Sequence, residues 1–286
     1  MRLPAFDYET SRDSLGRLHL ITQLLGSAAR SISLDDDGDW LFGLNARGVS
    51  SPLLPGGIDM RLDLLQREIR LASVRGKVAT VSITGTPLSE LRSQLLDGLD
   101  YLGLKKQPYL PEMEDSGEPE NFKEVLRAVL VVWAGTQEVL GRLLRRFKGP
   151  HTGVKLDWTT MNLGVTVYNG READASRGMG DLTDESLGRE QCYCGVSLGD
   201  EMTPEATFYS WIHPAVESPE GQLRPSGATF REDRRQAQLV YRALAPRSDW
   251  PTALAWFFES AFESQARAAD WDLRSLWRGA ERDREV

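Results

Sequence analysis

The chain has 286 residues, 41% of them hydrophobic, and a formal net charge of −8 at pH 7. That size supports one continuous core in a single domain spanning residues 1–286, while the acidity argues against a nucleic-acid surface, which needs a clustered basic face. No run approaches the roughly 20 apolar residues of a membrane-spanning helix, and acidic residues stand where a signal peptide would have its apolar region, so a cytoplasmic protein is expected.

The first element predicted is a core-facing helix near residues 13–30. Leu15, Leu18, Thr22, Leu25 and Ala29 recur there at helical spacing behind a cap at Ser11 or Asp13. His19 and Gln23 lie at i and i+4 on its flank, so both side chains reach the same neighbouring space. They read either as a hydrogen-bonded structural pair or as a polar pair lining a cleft.

From Ser31 to Ile83 the period becomes alternating, with turn clusters at 35–38, 55–57 and 75–76. This predicts a meander of antiparallel strands near residues 40–47, 58–64, 68–73 and 78–83. At the end of the first, Arg47, Gly48, Ser50 and Ser51 form a cluster that could bind an oxyanion, since Arg offers a fork of donors and Gly admits close backbone N–H groups. The alternative is an edge arginine paired with a carboxylate.

Thr86 as cap with Pro87 at the first helical position predicts a second helix, buried through Leu88, Leu91, Leu95 and Leu99. An acidic loop at 108–119, either a lid or a surface crossing, leads to a long helix near 120–147. Basic residues crowd the last turn of that helix, where cations complement its dipole.

Residues 149–171 read as a central strand ending at an Asn169-Gly170 turn signal. Alternation puts Trp158, Thr160, Asn162, Thr166 and Tyr168 on one face, with Lys155, Asp157, Leu163, Val165 and Val167 on the other. A strand opening with Lys155, Asp157, Trp158, Thr160 and Asn162 and then turning apolar begins in a pocket or at an exposed edge. Residues 172–190 read as a mobile loop with a short helical turn. Beyond it, 191–197 returns to order, 207–213 is a strand closed by Pro214, a short strand follows near 228–231, and a C-terminal helix starts near Asp249. The charged tail at 279–286 is expected to be flexible. Cys192 and Cys194 suit neither an ordinary disulfide loop nor a zinc shell lacking two further ligands, so both are expected reduced and metal-free.

The elements together predict an α+β fold in which antiparallel sheet is covered by three main helices, near 13–30, 120–147 and 249–270.

Several blocks in order carry a resemblance: residues 18–23 (Leu-His-Leu-Ile-Thr-Gln), Ala46-Arg47-Gly48, Trp158, Leu163-Gly164-Val165-Thr166, Gly170-Arg171, and Phe208-Tyr209-Ser210-Trp211 with Pro214. Over nearly the whole chain they resemble the bacterial domain-of-unknown-function family 5996. Where the family pattern has histidine, aspartate and a histidine-glutamate pair, this chain has Lys155, Asn162 and Gln191-Cys192. The departures imply a retuned pocket and speak against a His/carboxylate metal site. A looser resemblance is to the aziridine-forming, sulfate-eliminating enzymes of azinomycin-type biosynthesis. It implies cofactor-free chemistry by positioning and electrostatics.

Two functions are therefore expected as alternatives. The first is a cofactor-independent biosynthetic enzyme of secondary metabolism acting on a small amino or anionic substrate, with amine displacement of sulfate as its sharpest form. Arg47 and Lys155 would bind the anion, and Asp157 or His19 would hold or deprotonate the amine. Trp158, Tyr209, Trp211, Gln23 and Asn162 would line the pocket. The second is a non-catalytic small-molecule-binding protein, or a subunit completed by a second chain. Arg47, Lys155, Asp157 and Trp158 are expected to converge with His19 and Gln23.

Overall fold

Alternating apolar and polar residues build antiparallel strands throughout the chain, and longer amphipathic stretches build the helices that cover them. The computed structural model describes residues 2–33, 41–104, 108–113, 117–173 and 188–278. The described residues fall into two compact units. Ala5–Ala134 with Lys155–Asn162 form the N-terminal unit, and Met1–Pro4, Gly135–Val154 and Leu163–Val286 form the C-terminal unit.

The N-terminal unit contains α1 (Tyr8–Ile32), β1 (Phe42–Asn45), β2 (Gly48–Ser50), β3 (Ile58–Asp63), β4 (Glu68–Ser73), β5 (Val78–Ser82) and α2 (Leu88–Leu102). The first half of α3 (Phe122–Arg146) and the two-residue strand β6 (Lys155–Leu156) complete it. Its strands run in the order β6-β1-β2-β3-β4-β5, and the described pairings are antiparallel. One face buries Phe42, Val49, Met60, Leu62, Ile69, Leu71 and Val81. At Gly98 of α2 the helix approaches so closely that a Cβ would stand 2.7 Å from Leu71 Cδ1. Arg17 of α1 is buried as well, and its guanidinium donates to the carbonyls of Gly117, Ile83 and Thr86.

The C-terminal unit holds the second half of α3, β7 (Leu163–Glu172), β8 (Arg189–Ser197), β9 (Thr207–His213), β10 (Thr229–Arg231), β11 (Gln236–Val240), α4 (Tyr241–Leu244), α5 (Trp250–Ala268) and α6 (Leu273–Leu276). Its strands run β10-β11-β9-β8-β7, again antiparallel. Val165, Val167, Cys192, Cys194, Val196, Phe208, Ile212, Ala237 and Leu239 are buried on one face. α5 covers that face through Phe258, which meets Phe208 edge-on at 6.3 Å, and Gln265, which donates to Ser210 O at 3.2 Å. The N-terminal arm is tied to this unit by Tyr241, whose hydroxyl donates to Pro4 O at 2.8 Å.

The α+β class with antiparallel sheet and covering helices is thus observed. Several local expectations change. α1 begins at Tyr8 because Asp7 caps it, accepting from Thr10 N at 3.0 Å. Its polar first turn hid this start from a reading based on apolar spacing. α2 starts one residue late, with extended Pro87 as the cap position and Leu88 the first helical residue. β2, β8 and β11 are absent from the predicted strands, 191–197 being read only as ordered.

The main correction concerns the central strand, which splits into β6 and β7 around a turn at 157–162. Asp157 N donates to Asn162 O at 2.9 Å, closing the turn, and Met161 takes the left-handed φ of 58°. Short Asp and Thr side chains offer the backbone hydrogen bonds that compete with a strand ladder. The 35–38 turn cluster, most of the 172–190 loop and the 279–286 tail lie outside the described residues. Among the described residues, no helix is long and apolar enough to cross a membrane.

Candidate functional site

Five of the expected site residues, His19, Gln23, Asp157, Trp158 and Asn162, lie where the flank of α1 abuts the 157–162 turn. His19 Nε2 lies 2.7 Å from Thr159 O and 3.2 Å from Gln23 Nε2. A carbonyl oxygen only accepts, so the shorter contact requires a proton on Nε2. The Gln23 amide then serves this nitrogen better with its oxygen turned toward it, an orientation of the same shape. His19 Nδ1 is left as an acceptor without a hydrogen bond among the described residues. One turn further along α1, Gly26 receives the Trp158 indole: a Cβ there would sit 1.9 Å from Trp158 Cδ2. Glycine is required at that position by space, not by backbone conformation.

Asp157 belongs to the same turn, but its carboxylate is engaged. Oδ1 accepts from Thr159 N at 2.8 Å and Thr159 Oγ1 at 2.7 Å, and Oδ2 accepts from Thr160 Oγ1 at 2.9 Å. Asn162 closes the turn through its backbone. The Asp157 carboxylate thus shapes the segment that carries Trp158, which gives it a structural reason to be there.

Neither the Arg47 nor the Lys155 side chain makes a hydrogen bond or ion pair to these residues among the described residues. Arg47 sits at the β1–β2 hairpin, 51% exposed, with its guanidinium paired to Asp63. The hairpin N–H groups of Arg47 and Gly48 both donate to Asn45 Oδ1, at 2.9 and 3.1 Å, so the backbone donors expected for an oxyanion are already used. Lys155 pairs in register with Gly43 while Leu156 pairs with Phe42. Leu156 and Phe42 are buried, so alternation sends Lys155 to the opposite, half-exposed side.

In the C-terminal unit, Tyr209 and Trp211 are joined by a ring that was not singled out among the expected site residues, Tyr193. Tyr193 stacks on Trp211 at 5.7 Å between centroids with 13° between planes, and meets Tyr209 at 5.4 Å in a tilted contact of 30°. All three rings are half-buried and occupy the sheet face away from α5. Beneath the Tyr193 ring lie two glycines without side chains, Gly164 and Gly195, which are register partners. A Cβ at Gly164 would stand 2.3 Å from Tyr193 Oη, and one at Gly195 would stand 2.6 Å from Tyr193 Cε1. The ring lies on the glycines, an aromatic cover that also supports the strand pair. The alternation Cys192-Tyr193-Cys194-Gly195, with both cysteines buried, was the available signal for Tyr193.

On the reverse face, Cys192 and Cys194 are free and buried, with sulfurs 3.6 and 3.5 Å from Ser210 Oγ. Hydrogen bonding with Cys194, reinforced by burial, pushes the Cys192 thiol well above its ordinary pKa. A thiol held protonated is a poor nucleophile and a poor metal ligand. Among the described residues there is no group of three His, Cys, Asp or Glu side chains placed to hold a metal ion.

The fold and these surfaces define an α+β protein with two antiparallel sheet regions, each helix-covered on one face. The chain belongs to the family described as a family of unknown function, DUF5996, which it matches over residues 3–278. No curated protein and no solved structure matches the chain.

Proposed function

We propose that this protein binds a small organic molecule on the aromatic face of its C-terminal unit, as a non-catalytic binding protein. The observation that carries the reading is the stack of Tyr193, Tyr209 and Trp211, three half-buried rings on a sheet face turned away from its covering helix. Aromatic side chains combine large contact area with little conformational entropy to lose, which suits them to recognition. The reading is tested by titrating the full chain with a metabolite collection by calorimetry. Binding that disappears in Trp211→Ala, with the far-UV circular dichroism unchanged, is the expected result; no binding by the parent chain overturns it.

A second reading, aziridine closure by amine displacement of sulfate, is favoured by one observation: half-buried His19 keeps a ring nitrogen without a hydrogen bond among the described residues. In that reaction the amine nitrogen bonds to carbon as the carbon–oxygen bond to sulfate breaks, and His19 Nδ1 takes the ammonium proton. Asp157, with both oxygens accepting from threonine, is the weaker base candidate. Incubating a sulfated vicinal amino substrate with the protein and with His19→Ala, followed by mass spectrometry, checks it. Sulfate loss with the parent only supports the reading, and no loss with either protein ends it.

A further inference from the structure

The register of the C-terminal sheet places the stacked rings within two polar rows. One row runs Arg231, Gln236, Trp211, Tyr193, Thr166, and the next Thr229, Gln238, Tyr209, Gly195, Gly164. Tyr209 and Trp211, the two β9 aromatics on this face, thus each have a glutamine directly across the strand pair. The single charged group in the rows, Arg231, is engaged by Asp233 at 2.7 Å. We infer that the molecule bound here is a planar, uncharged heteroaromatic ring bearing both a donor and an acceptor on its edge, as a nucleobase does. The inference rests on the reading that this face binds a small molecule.

Three features point to that class. The rows offer no counter-charge for an ion, because carboxylates are absent from them and their guanidinium is already paired. Tyr193 and Trp211 lie nearly parallel, at 13°, with Tyr209 tilted by 30° at the other end, so a further flat ring can extend the stack at Trp211. Quaternary ammonium ligands are typically recognised by cages of rings set around them, which these side-by-side rings do not form. Finally, Gln236 is half-buried beside Trp211 and makes no side-chain hydrogen bond among the described residues. A carboxamide carries a donor and an acceptor in one plane, which matches the paired edge groups of a heteroaromatic base.

The experiment is calorimetry on the full chain with adenosine, guanosine, cytidine and uridine, alongside choline, glucose and inorganic sulfate. At least one nucleoside is expected to bind, with Trp211→Ala and Gln236→Ala each weakening it by about tenfold or more, the scale of a lost base stack or paired edge contact. Binding of choline, glucose or sulfate without any nucleoside overturns the ligand class and leaves the site standing. Nucleoside binding unaffected by both variants overturns the site assignment. Silence from every nucleoside overturns the inference. If the wider metabolite collection is silent too, the binding reading falls with it.

Discussion

The sheet faces turned away from the covering helices differ sharply between the two units, although the helix-covered faces are alike. In the N-terminal unit the face opposite the buried residues carries Asp59, Arg61, Asp63, Glu68 and Arg70. Register puts Arg61 against Arg70 and Asp63 against Glu68, like charges that disfavour pairing. Arg61 turns instead to Asp59 at 2.6 Å, and Arg47 engages Asp63. Such exposed pairs contribute little, and water keeps them soluble. The corresponding face of the C-terminal unit carries stacked rings and neutral amides. Aromatic rings offer a small molecule broad contact area, which is why the binding surface proposed above is that face and not the charged one.

The comparison breaks first if the covered faces are not equivalent. Leu62→Ala in the N-terminal unit should cost about 2–5 kcal/mol and Phe208→Ala in the C-terminal unit about 3–5 kcal/mol, both by lost burial and cavity formation. Urea unfolding measures both, and a cost near zero for one of them would show that its sheet is not core-forming.

The open faces should separate at the next level. Tyr193→Ala removes two ring contacts and uncovers the paired glycines, a loss of about 2 kcal/mol with a change in the near-UV circular dichroism. On the charged face, Arg61→Ala should stay within about 0.5 kcal/mol. Equal costs for the two would remove the distinction.

Between these lies Tyr241, which anchors the N-terminal arm. Tyr241→Phe loses the hydrogen bond to Pro4 O and should cost about 1 kcal/mol near neutral pH. Burial raises the folded-state pKa of Tyr241 above its ordinary value. Below the unfolded pKa both states are protonated and the bond contributes fully. As pH rises past about 10, the unfolded state ionises first and the contribution is lost. Denaturation at pH 7 and pH 11 should therefore show the gap between parent and variant closing or reversing. The smallest effect expected is at the buried thiols: a thiol reagent should leave Cys192 and Cys194 unmodified in the folded chain and label both in urea.

Much of the architecture was determined by the sequence alone, because the signals were local. Residues 207–213 alternate cleanly and end before Pro214, and β9 occupies that span. The apolar stripes that marked three helices reappear as α1, α3 and α5, and the last of them buries Leu254, Phe257, Phe258, Ala261, Phe262 and Gln265. His19 and Gln23 were placed together by helical spacing, which is fixed within a few residues. The tertiary structure alone decided what depended on distant partners. Whether Asp157 continued a strand or closed a turn rested on competition between a ladder and its own carboxylate, and the carboxylate won. Tyr193 met Trp211, and Gln236 met it from the other side, because β8, β9 and β11 adopt one particular register. That register is set by packing on α5 across long loops, and a slip of one residue would have sent every one of those side chains to the opposite face.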